Sequence, residues 1–149
     1  ITPSQPLSDF IKKITNITDE DIMNSKSLPE VLQNFLDFVQ DSVLIAHNII
    51  FEMEFLQEKL KNCHYLPLEN TYIDSLELAC RIYPDRKRYG LVSLIQDFLN
   101  SEDYSCQGCL GNVNALCKLF PIMLNETLAK YNFKEIGQLN DLPVKNLSI

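Results

Sequence analysis

Residues Ser42–Leu56 read SVLIAHNIIFEMEFL, and two periodicities meet in them. Val43, Leu44, Ile45 and Ala46 form a short apolar run of the length expected for a buried strand. The polar pair His47-Asn48 ends that run. From Ile49 onward, Ile50, Met53, Leu56 and Leu60 recur at helical spacing, with Glu52, Glu54, Gln57 and Glu58 between them. A strand therefore passes into a helix, and Glu52 falls about one turn beyond the strand's carboxyl end. Ligands of open α/β sheets gather at that edge. A carboxylate there can hold a metal ion; equally, an acid in a first helical turn offsets the helix dipole with no ligand at all.

Outward from this stretch, helices dominate. Ser8 is placed to cap a short helix over Asp9–Ile14, with Phe10, Ile11 and Ile14 on its apolar side. Thr18 to Asp21 fits a capping box, so the acids there serve a helix start. Leu28–Val39 predicts an amphipathic helix with Pro29 in its first turn and Val31, Leu32, Phe35, Leu36 and Val39 inward. Asn62–Asn70 is a connection. Thr71-Tyr72-Ile73 reads as a second strand, and Asp74 caps the helix Leu76–Ile82. Gly90 precedes a helix over Leu91–Leu99. A long apolar helix runs from Leu110 to about Tyr131, and Pro121 should kink or divide it. Phe133–Leu139 predicts one more short helix.

Composition bounds the function. The chain has 149 residues, 46% of them hydrophobic, enough for one globular domain with a sizeable core. No apolar run approaches a membrane span. The net charge of −7 opposes nonspecific nucleic-acid binding, which needs basic residues against phosphates. Arg86, Lys87 and Arg88 form the one dense basic cluster, and three charges make either a small nucleic-acid contact or a solvated loop. Five scattered cysteines (Cys63, Cys80, Cys106, Cys109 and Cys117) without an export signal read as reduced thiols of a cytoplasmic protein. Cys106-Gln107-Gly108-Cys109 is a lone C-x-x-C, a redox pair or half of a zinc site only if further ligands join it.

The stretch AHNIIFEMEFL resembles the second motif of the DnaQ-like (DEDDh) 3′–5′ exonucleases, a-H-N-x-x-F-D-x-x-F-L. IKKITNITDEDI (Ile11–Ile22) resembles their I-x-x-L-T-G-I-T segment, and YIDSLELACR (Tyr72–Arg81) their v-D-T-L-x-L-A-R helix start. YGLVSL (Tyr89–Leu94) resembles y-x-L-x-x-L, and QGCLGNVNALCKLF (Gln107–Phe120) resembles H-R-A-L-x-D-V-x-A-L-x-x-L-F. The segments follow the family's order over residues 1 to 120. The resemblance implies an α/β, RNase H-like exonuclease fold. It also implies that this chain is helix-rich because the first three strands of the sheet, which carry the family's D-x-E motif, are not in it. Residues 1–131 would form the exonuclease-like domain, N-terminally incomplete, and 132–149 a short helix and a linker or docking tail.

The departures from the family carry the functional expectation. Family members hold two divalent metals with four carboxylates and use a histidine as general base. Here the third carboxylate position is Glu52, the histidine position is Gln107 and the fourth carboxylate position is Asn112. Magnesium wants anionic oxygen ligands in near-octahedral array, and Asn112 brings no charge. The extra methylene of Glu52 displaces its carboxylate by roughly 1.5 Å. Gln107 cannot take a proton, which forfeits the roughly 10²–10⁴-fold contribution of a general base. His47, Asn48, Phe51 and Asp74 match motif positions that are not metal ligands.

The leading expectation is a catalytically inactive DnaQ-like domain, kept as a structural or protein-interaction module of a nucleic-acid-processing assembly and needing no cofactor. The alternative is an active exonuclease using Mg or Mn, its first motif lying before Ile1 and Glu52 serving as metal ligand. A non-catalytic nucleic-acid binder is the third. A two-strand sheet leaves an edge and an apolar face uncovered, so a protein partner or further segments of a longer parent chain should cover them.

Overall fold

A computed structural model describes residues 1–3, 5–99, 108–132, 134 and 138. Among these, seven helices and two strands follow one another: α1 (Asp9–Thr15), α2 (Asp19–Met23), α3 (Leu28–Val39), β1 (Leu44–Ala46), α4 (Ile49–Asn62), β2 (Tyr72–Asp74), α5 (Ser75–Ile82), α6 (Leu91–Phe98) and α7 (Gly108–Tyr131). The strands form one parallel two-stranded sheet, giving a helix-rich α/β arrangement. Contacts divide the chain into two compact units, Ile1–Leu44 with Met53–Thr71, and Ile45–Glu52 with Tyr72–Ile149.

In the first unit, local chemistry sets the helix starts. The Ser8 hydroxyl accepts from the Ile11 amide. At α2 the Thr18 hydroxyl accepts from the Asp21 amide at 3.1 Å, while the Asp21 carboxylate accepts from the Thr18 amide at 2.8 Å, so the predicted capping box is present. Ser27 and Pro29 open α3, which buries Leu32 and Val39. These join Leu60 and Leu68 in a core flanked by Leu28, Phe35, Leu36, Met53 and Leu56. The Gln57 side chain pairs with both backbone groups of Leu68, and Asn70 bonds the carbonyls of Gln40 and Ser42. Those contacts fix the connection after α4. The apolar side predicted for α1 is not covered: Phe10 and Ile14 are 70% and 61% exposed. A seven-residue helix anchored by its cap gains no core of its own.

The second unit packs α5, α6 and α7 together. Leu94, Ile95, Leu119 and Met123 are fully buried, and Leu78, Ala79, Ile82, Ala115, Leu116 and Phe120 complete the core. Each such large side chain contributes about 1.5–3 kcal/mol by leaving water. Tyr83 stacks on Phe98 with ring centroids 4.9 Å apart. Its hydroxyl donates to Glu126 at 2.5 Å; burial and that neighbouring carboxylate hold the phenol far above its ordinary value. Lys130 donates to the Ile82 carbonyl at the end of α5, where a cation offsets the helix dipole.

Two expectations need correction. Pro121 does not divide α7, which continues through it. The lost backbone bond is outweighed because Leu116, Leu119, Phe120 and Met123 on either side are held in one core. The run Val43–Ala46 is not buried: Val43 and Ile45 are 48% and 39% exposed, since no third strand or covering helix lies on them among the described residues. Val113 on α7 is likewise 55% exposed. The helix predicted over Phe133–Leu139 falls mostly outside the described residues.

Candidate functional site

The junction between β1 and α4 is built by Asp74, the last residue of β2. Its carboxylate accepts from the amides of Asn48 at 3.0 Å and Ile49 at 3.2 Å, and from that of Leu76 at 2.8 Å. One side chain thus satisfies orphan donors at the starts of both α4 and α5. Asn48, at φ 69°, makes the turn, a conformation asparagine tolerates better than most residues. The cap role read for Asp74 is present, extended to a second helix.

His47 sits in the same junction. The buried Ser75 hydroxyl donates to the Ala46 carbonyl at 3.1 Å, so its oxygen accepts from His47 Nδ1 at 3.0 Å. That order places the ring's single proton on Nδ1. Nε2 is buried and has no hydrogen bond among the described residues. Burial holds the imidazole below its ordinary value, against the opposing pull of the Tyr89 backbone and the Asp74 carboxylate. His47 is therefore a neutral tether between strand end and helix start.

Beside this junction, still within the second unit, lies a half-open cavity of about 630 Å³. Ile45, Ala46, His47 and Glu52 line one part of it; Leu91 and the α7 residues Cys109, Asn112, Val113, Leu116, Cys117, Phe120 and Pro121 line the rest. The structure thus brings His47, Glu52 and Asn112 to one space, although Glu52 and Asn112 are 60 positions apart in sequence. Gln107 lies outside the described residues, immediately before the first residue of α7. Phe51 is 65% exposed and does not line the cavity, and Asp74 is engaged in capping.

A family profile described as "Exonuclease" (RNase_T) matches residues 1–105. The chain belongs to this exonuclease family. Within it the domain is DnaQ-like and RNase H-like in fold, helix-rich here because the described residues contribute only two strands to the sheet. It is 37% identical over 140 residues to a protein named DNA polymerase III PolC-type from Streptococcus suis (strain 98HAH33), which covers 94% of this chain and 10% of that protein. Proteins of the same name from Streptococcus pneumoniae serotype 2 and Streptococcus pyogenes serotype M2 are 35% and 37% identical over 141 residues, with the same coverage. The chain spans about a tenth of the length of these relatives.

The exonuclease family uses divalent metals, and the donors around the cavity do not fit a two-metal site. They are one carboxylate, one carboxamide, one imidazole and the thiols of Cys109 and Cys117, set among apolar walls. Two cations about 4 Å apart need several anionic ligands between them. Among the described residues, no three His, Cys, Asp or Glu side chains lie close enough to hold an ion.

Three placements were not legible beforehand. Ser75 orients His47, and the only sequence signal for it is its position directly after the capping Asp74. Cys109 and Cys117 share the cavity wall because α7 presents positions 109, 112, 113, 116 and 117 along one stripe. Arg86 is committed within its own unit: it donates to Asp97 at 2.5 Å and to Ser93 and the Arg88 carbonyl, and lies 5.6 Å over the Phe98 ring. Lys87 and Arg88 are exposed. No helix among the described residues is long and apolar enough to cross a membrane.

Proposed function

We propose that this exonuclease domain is catalytically silent and serves as a structural or protein-interaction module. The observation that carries the reading is the cavity shared by Glu52 and Asn112, where a single carboxylate faces mainly apolar walls. Gln107, in the family's histidine position, supports it from the sequence. The relatives' name, DNA polymerase III PolC-type, supports a setting inside a DNA polymerase assembly, with residues 1–131 as the domain and 132–149 as a short helix and a linker or docking tail. Further segments of a parent chain or a partner protein would cover the exposed Val43 and Ile45.

A second reading, an active Mg- or Mn-dependent 3′–5′ exonuclease completed by carboxylates from outside these residues, is favoured by one observation: Glu52 and Asn112 still face one space. A non-catalytic nucleic-acid binder is disfavoured, because Arg86 is tied to Asp97 and the net charge is −7. The deciding experiment incubates the purified parent protein with a 5′-labelled single-stranded oligonucleotide and Mn²⁺. The expected result is an uncut substrate. Trimming from the 3′ end that disappears in Glu52→Ala would overturn the silent reading and establish the enzyme.

A further inference from the structure

We draw no further inference here: the strongest candidate, the apolar mouth that Ile45 on β1 and Val113 on α7 leave open beside the cavity of the second unit, carries nothing, because it belongs to the site already described and nothing in the structure shows what covers it.

Discussion

Asp74 Oδ1 accepts the backbone N–H of Asn48 at 3.0 Å across 26 positions of sequence, and the same oxygen accepts from Leu76 at 2.8 Å. With Oδ2 on Ile49, this carboxylate holds the strand-to-helix turn of β1 and α4 against the start of α5. Asp74→Ala should lower unfolding free energy by about 2–4 kcal/mol, since two caps of about 1–2 kcal/mol each are lost together. Asp74→Asn keeps one acceptor oxygen and should cost about half as much. Urea denaturation of the three proteins, followed by circular dichroism, checks the order. Equal stability of Asp74→Ala and the parent would show that the two helix starts do not depend on this residue.

Burial of His47 makes stability depend on pH. The folded imidazole titrates below the ordinary value of 6.5 because its ring is partly buried. Between the two values the unfolded chain binds the extra proton and the folded one does not. The contribution is therefore complete above about pH 6.5 and is lost as pH falls through that value toward the folded one. Unfolding midpoints at pH 7.5 and 5.5 should differ in the parent protein, and the difference should shrink in His47→Gln, whose amide can still donate to Ser75. Carboxylates titrate mainly below this window. An unchanged pH slope in His47→Gln would remove His47 as its source.

Pro121 stands within α7 with no amide proton to give, yet the helix runs on. Its side chain is exposed, so replacing it forfeits no core packing. Pro121→Ala should restore one helical hydrogen bond and raise stability by about 1–3 kcal/mol, the upper end being the full propensity difference. Thermal unfolding measures it directly. A lower melting temperature would mean that the proline fits a local bend the alanine cannot take.

The elements that were legible in the sequence are those written over three or four residues. The Thr18–Asp21 capping box, Ser27 with Pro29, and the inward face of Leu32 and Val39 follow from neighbours along the chain. The exposure of Ile45 and Phe10 was not legible, because burial depends on what the rest of the fold lays over a side chain. Nor was the second helix start closed by Asp74, a bond between residues 26 apart. The gathering of Glu52 and Asn112 could be anticipated only through the family resemblance, since no local pattern relates the end of β1 to α7. Pro121 shows the converse: a strong local signal was overridden by the core on both sides of it.

The cysteines should differ in reactivity. Cys109 and Cys117 are exposed on α7, whereas Cys80 is half-buried and its thiol is pushed up by burial and by Asp74 and Glu77. The thiolate is the reacting form, so an aromatic disulfide reagent at pH 7.5 should label Cys109 and Cys117 before Cys80. Peptide mapping of the time course reads the order. Early labelling of Cys80 would show that α5 opens readily in solution.

Arg86 separates a structural from a nucleic-acid role for the basic cluster. Its guanidinium bonds Asp97 and Ser93 of α6 and covers Phe98, so it ties the segment after α5 to α6. Arg86→Ala should cost about 1 kcal/mol, more than a free surface pair because the hydrogen bonds and the ring contact are lost with the charge. Lys87→Ala and Arg88→Ala, at exposed positions, should leave stability within about 0.5 kcal/mol. If the cluster instead served phosphate contacts, the Lys87 and Arg88 changes would weaken binding of the parent protein to single-stranded oligonucleotide and each would flatten its salt dependence by nearly one unit of slope. Fluorescence anisotropy between 50 and 200 mM salt distinguishes the two. A slope indifferent to both substitutions, together with destabilisation by Arg86→Ala alone, is the result expected of a loop whose one committed cation holds the fold.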